Sequence, residues 1–83
     1  MDYKFESNRI YAENNSGELL AEITFFETEQ GVFIIDHTFV DNSLRGQGIA
    51  GELVRQAVQI IKEQGGKATA TCSYAKHWLE KNL

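Results

Sequence analysis

Cysteine is almost missing from this sequence. Cys72 is the only one in 83 residues, so no disulfide can close within the chain. With His37 and His77 forty residues apart, the lone thiol completes no ligand cluster, and no metal site is expected. Proline is absent, and no linker or low-complexity stretch interrupts the chain, which reads as a single domain over residues 1–83. Positive charge is short as well: eight Lys and Arg face twelve Asp and Glu, a net −4. That balance is the opposite of the basic stripe that binds nucleic-acid backbones, so no nucleic-acid partner is expected. Long apolar runs are missing too. None approaches the ~20 residues of a membrane span, so no membrane partner is expected, and MDYKFESNRI holds no apolar signal core. A single free thiol suits a reducing interior, which makes the cytoplasm the expected location. A chain this short buries only about 60% of the surface that its unfolded form exposes. A bound ligand or a second copy is the natural supplement to so thin a margin, and a monomer or weak homodimer is expected.

What is present is a change of period. Tyr3 to Glu6 and Arg9 to Ala12 alternate loosely, and Asn14-Asn15-Ser16-Gly17 is a strong turn cluster. GELLAEITFFETE then puts Leu19, Ala21, Ile23 and Phe25 on one face of a strand. After the turn at Glu29-Gln30-Gly31, VFIIDHTFV reads as a third strand, apolar on both faces, with Phe33, Ile35 and Phe39 on one side and Val32, Ile34 and Val40 on the other. A strand of that kind is expected to be central, with layers above and below it. Beyond Leu44 the period becomes 3.6: Ala50, Leu53, Val54, Ala57, Val58 and Ile61 form one helical stripe, ended by Gly65-Gly66. Lys67 to Cys72 reads as a short strand, and Ser73 as the cap of a last helix from about Tyr74 to Asn82. The fold class is therefore a mixed α/β (α+β) sheet in the order β-β-β-α-β-α, with helices packed on it. The two strands joined through the helix are expected to be parallel with a right-handed crossover.

LRGQGIAGELVRQAV places Gly46, Gly48 and Gly51 where the long helix must begin, behind the cation of Arg45. The first turn of a helix exposes unpaired N–H groups and a partial positive charge, which suits a phosphate. Glycine lets that phosphate approach the backbone. The alternative is a tight strand-to-helix turn and nothing more. Two known phosphate loops do not fit. Glu52 follows Gly51 where a P-loop needs Lys then Ser or Thr. Gly46 to Gly51 fits G-x-G-x-x-G literally, but no acid stands at the end of the next strand.

On these residues the sequence resembles the GNAT superfamily of acetyl-CoA-dependent N-acetyltransferases. That family carries Gln or Arg, two residues, Gly, one residue, then Gly or Ala, between its central strand and main helix. Arg45, Gly48 and Ala50 match all three positions, and Cys72-Ser73-Tyr74 resembles the marker of a short single-domain, acetyl-CoA-binding subfamily. The resemblance covers about Gly17 to Leu83. It implies that acetyl-CoA binds with its pyrophosphate on the amides of Gln47, Gly48, Ile49 and Ala50, next to Arg45 and Gly46. It implies too that the pantetheine arm pairs with the strand at Phe39 and Val40, where two parallel strands splay apart. The acetyl group then lies near His37, Phe39 and Cys72. Lys76 is a further candidate for the coenzyme phosphates.

Acetyl transfer to an amine needs a base for the acceptor and an acid for the leaving thiolate. Cys72 is the candidate nucleophile or acid, activated by the helix start behind it and by Lys76. His37 is the candidate base, and a Cys–His pair would allow an acetyl-cysteine intermediate. Each has a plainer alternative, as a small buried strand residue and a core histidine. Tyr74 reads as helix packing or as the acid. The leading function is a GNAT-type N-acetyltransferase acting on an unidentified amine. The alternative is an acyl-CoA sensor or interaction module without turnover, because the family's N-terminal helical pair and last two strands have no counterpart in this sequence. A third reading is a nucleotide-phosphate binder unrelated to coenzyme A.

Overall fold

Alternation in the first half of the chain builds an antiparallel meander. The computed structural model describes residues 1–83. Its elements are β1 (Lys4–Glu6), β2 (Arg9–Glu13), β3 (Leu19–Glu29), β4 (Val32–Val40), α1 (Ile49–Glu63), β5 (Lys67–Ala70) and α2 (Ser73–Asn82), with a 3-10 turn at Asn42–Leu44. The five strands lie in chain order, β1-β2-β3-β4-β5. The first three pairings are antiparallel, and β4 with β5 is parallel across α1. The expected mixed sheet is present with one strand more than the expected order. The N-terminal stretch turns back at Ser7 and Asn8, and Lys4 lies opposite Tyr11.

Both helices pack on one face. Leu53, Val54, Ala57, Val58 and Ile61 of α1 and Ala75 of α2 join Ile10, Ala21, Ile23, Phe25, Phe33 and Ile35 in one core. The expectation of layers on both sides of β4 therefore fails, and Ile34, apolar but half-buried, faces a side without a helix. A β-bulge sets the outcome along that strand. Thr24 lies opposite His37 and Phe25 opposite Ile35, which leaves Asp36 as the extra residue. An inserted residue reverses the inward and outward alternation. Thr38 and Val40 thus continue the inward row of Phe33 and Ile35, opposite Ile23 and Ala21, while His37 and Phe39 turn outward.

Two termini frame the site. α1 ends in a Schellman arrangement, with Gly65 at φ 76° and the Gly66 N–H donating to Ile61 O at 2.9 Å. α2 starts one residue earlier than expected, with Cys72 rather than Ser73 at the N-cap.

Candidate functional site

The turn from β4 into α1 needs two left-handed residues, and Gly46 (φ 84°) and Gly48 (φ 75°) supply them. Such a conformation costs other L-residues about 1–2 kcal/mol. Asp41 caps the 3-10 turn, and Ser43 holds its carboxyl below the usual range with a hydroxyl and a backbone N–H donor. Arg45 N–H then closes on Asn42 O, and Glu52 N–H on Gly48 O. The N–H groups between them, from Gly46 to Gly51, find no acceptor within the chain. Gly51 has another reason to be glycine. A Cβ there would stand 3.3 Å from the Tyr74 hydroxyl and 3.6 Å from Trp78 Nε1, so its absence lets α2 approach α1.

These donors open onto a cleft of about 450 Å³. Thr38 and Val40 form its strand side, Leu44, Arg45, Gly46 and Gly48 its turn, Ile49 and Ala50 its helix start, and Tyr74 its far wall. Arg9 and Arg55 are ion-paired with glutamates; Arg45 has no carboxylate within reach. Glu52, in the first turn of α1, accepts from Arg55 at 2.6 Å and from Gln56 at 3.0 Å, and the Arg55 contact holds its carboxyl below the usual range.

The strand side is open too. Pairing between β4 and β5 stops at Ile35 with Ala70, and the N–H groups of Thr71 and Cys72 both turn back to Ile35 O. From Asp36 to Val40 the outer edge of β4 has no strand beside it. An extended chain can lie along that edge, with its anionic end on the turn.

The expected site residues divide accordingly. Val40, Arg45, Gly46, Gly48, Ile49 and Ala50 line the cleft. Gln47 lines a neighbouring hollow with Met1, Tyr3 and Glu52. Phe39 lies on the helix-free face, and Lys76 is exposed on α2 and lines neither space. His37 and Cys72 are not brought together. The bulge turns His37 to the helix-free face, where Nε2 lies 3.3 Å from Glu22 Oε1. Cys72 packs against the core on the other side, its Sγ 3.6 Å from Thr38 Oγ1. Burial pushes the Cys72 thiol up, but hydrogen bonds from the Ala75 backbone, the Thr38 hydroxyl and the Tyr74 and Thr38 backbone outweigh it and leave the thiol below its ordinary value. Thr38 and Leu44 escaped the reading of the sequence. The polar pair Asp36-His37 inside an apolar strand is the signal of the bulge that brings Thr38 into the cleft.

Residues 9–83 match the sequence model of a family described as GCN5-related N-acetyl-transferase. Protein NATD1 of Xenopus tropicalis is 35% identical over 48 residues, which is 58% of this chain and 44% of that protein. The match thus spans less than half of that relative's length. The solution structure of a GCN5-like protein from Staphylococcus aureus superposes with a TM-score of 0.80 at 38% identity, over 96% of this chain and 78% of its own. A GNAT-family protein of Escherichia coli, YhbS, solved in complex with CoA, shares the fold at a TM-score of 0.66 and 21% identity, over 80% of this chain and 40% of its own.

Proposed function

The chain belongs to the GCN5-related N-acetyltransferase family, and from that premise we propose that it binds acetyl-CoA in the cleft and transfers the acetyl group to an amine. One observation carries the reading: a run of free N–H donors, from Gly46 to Gly51, stands at a helix start beside an unpaired arginine. Such a seat suits a pyrophosphate. In this reading the amides of Gln47 to Ala50 and the Arg45 guanidinium hold the pyrophosphate, and Lys76 adds charge from α2. The free edge of β4 at Phe39 and Val40 pairs with the pantetheine arm. Acetyl-CoA supplies its acetyl group as an activated thioester.

Cys72 stands where the gap between β4 and β5 begins, with hydrogen bonds holding its thiol below its ordinary value. In the proposed reaction it either accepts the acetyl group or protonates the leaving thiolate. His37 serves as base for the amine. The separation of His37 and Cys72 supports a second reading, a module that holds an acyl-CoA without turnover. Mass spectrometry after incubation with acetyl-CoA separates the two. An acetyl adduct on Cys72, lost in Cys72→Ala, is expected for covalent transfer. Its absence, with acetyl-CoA consumed in the presence of amine at a rate that Cys72→Ala lowers, supports the acid role for Cys72. Absence of both, with CoA still bound, leaves the module. An Arg45→Glu variant that binds CoA as tightly as the unaltered chain overturns the proposed seat.

The cytoplasm is the proposed location. No helix is long and apolar enough to cross a membrane.

A further inference from the structure

Where the backbone ladder between β4 and β5 ends, one side-chain contact crosses the gap. Beyond Ile35 and Ala70 the strands no longer pair, and the Cys72 N–H turns back to Ile35 O. From there the Cys72 thiol donates to the hydroxyl of Thr38, with Sγ 3.6 Å from Oγ1. The two residues differ in what they face. Thr38 lines the cleft and Cys72 does not. A proton on the Cys72 sulfur therefore meets the contents of the cleft by way of the Thr38 hydroxyl.

The place of Thr38 along the cleft decides which end of a ligand it meets. The free amides and Arg45 gather at one end, on the turn into α1. Of the two strand residues that line the cleft, Thr38 is the farther from that turn, about 7 Å beyond Val40 at the usual rise of a strand. Tyr74, the other hydroxyl on the wall, reaches toward the turn instead: a Cβ on Gly51 would stand 3.3 Å from its oxygen. Val40, Leu44, Ile49 and Ala50 bring no polar side chain. A ligand with its anionic end on the turn thus has its other end beside Thr38.

A hydroxyl that accepts one hydrogen keeps its own to donate, and Thr38 Oγ1 makes no hydrogen bond in the chain besides the one with Cys72. We infer that Thr38 is the catalytic residue that protonates the leaving coenzyme sulfur, with Cys72 behind it as the source of the proton. The inference rests on the acetyl-transfer reading proposed above, and of the two roles open to Cys72 it selects the acid. As the amine nitrogen bonds to the acetyl carbon, the C–S bond breaks and its electron pair stays on sulfur. That thiolate takes the hydrogen of the Thr38 hydroxyl, and Thr38 takes the thiol hydrogen of Cys72. The replenished hydroxyl then donates to the Cys72 thiolate. Burial pushes the Cys72 thiol up, but its hydrogen bonds outweigh that and leave it below its ordinary value. A coenzyme thiol of ordinary acidity is the weaker acid, so the proton moves downhill. The nitrogen's surplus proton passes by way of the base to solvent, which returns one to the half-buried Cys72.

Alkylation of Cys72 by iodoacetamide across a range of pH reads the contact without any turnover, since only the thiolate reacts. Thr38→Val, which keeps the shape and loses the hydroxyl, is expected to move the midpoint to higher pH, and Thr38→Ser to leave it in place. A midpoint unmoved in Thr38→Val overturns the inference; Thr38→Ala stands in if the valine variant does not fold. Release of CoA from acetyl-CoA, followed by chromatography with n-butylamine as probe acceptor, reads the relay itself. Thr38→Val and Cys72→Ala should each lower kcat by roughly tenfold to a hundredfold, with KM for acetyl-CoA unchanged and Thr38→Ser close to the unaltered chain. The double variant is expected to be no slower than the slower single one, because the two groups pass one proton. Losses that multiply overturn the relay, as do an acetyl adduct on Cys72 and a full kcat in a folded Thr38→Val protein. If the unaltered chain binds CoA but releases none from acetyl-CoA at any amine concentration, the transfer reading fails and takes the relay with it, even where the alkylation midpoint moves as expected.

Discussion

Gly48 answers two demands with one residue. Its φ of 75° starts α1 in a conformation that other residues resist, and a Cβ there would meet no atom within 4 Å. The space that a methyl group would fill is therefore open. Gly17 has the same character, φ 82° with nothing within 4 Å, but lies in the distant β2–β3 turn. Gly48→Ala and Gly17→Ala are each expected to lower stability by about 1 kcal/mol in thermal melts. Only Gly48→Ala should also weaken CoA binding, by about tenfold, which corresponds to the loss of one modest contact. Equal affinity in the two variants would mean that the turn needs glycine for conformation alone. The sequence showed these glycines and Arg45 clearly, because spacing along a turn is local. It misled at Phe39 and His37, because strict alternation assigns them to the face of Phe33 and Ile35. Asp36 breaks that alternation, and the sequence does not mark which residue of a polar pair is the extra one.

Among the elements, the return from α1 into β5 is the tightest join. A Cβ on Gly66 would stand 2.7 Å from Phe33 Cε1, 2.8 Å from Cδ1 and 3.1 Å from Ile61 Cγ2. Phe33 is only 6% exposed, so its ring has little room to give way. Gly66→Ala is expected to destabilise by about 1–3 kcal/mol, which lowers the melting temperature by roughly 4–8 °C for each kcal/mol in a domain of this size. A melting temperature within a degree of the unaltered chain would show that the ring moves freely. α1 itself was legible but for its first turn: Leu53, Val54, Ala57, Val58 and Ile61 of the expected stripe are buried, whereas Ala50 is half-buried and lines the cleft. The β1–β2 hairpin was not. β1 is three exposed residues, and only its pairing with β2 defines it. Both-sided apolarity in β4 likewise suggested a covered strand, whereas Ile34 is half-buried on an open face and Phe26 and Phe39 remain exposed there.

The molecule as a whole is a sheet with its helices on one side and its polar groups divided between the two. The helix side carries the cleft, the free amides and Cys72; the open side carries His37, Glu22 and Arg9. The gap beyond Ile35 is the place where the two sides meet. This division follows from the bulge and from the early end of β5, both tertiary features, which explains why the parts of the candidate site were more legible than their arrangement. A one-sided core of so few residues also leaves a ligand a large share in stability: a ligand present at a hundred times its Kd adds about 2.7 kcal/mol. Titration of the nitrogen-labelled chain with CoA, followed through its backbone amide shifts, examines the whole arrangement at once. The largest changes are expected from Gly46 to Gly51, with smaller ones along Thr38 to Val40. Saturable shifts confined to the helix-free face, or none at any CoA concentration, would contradict it.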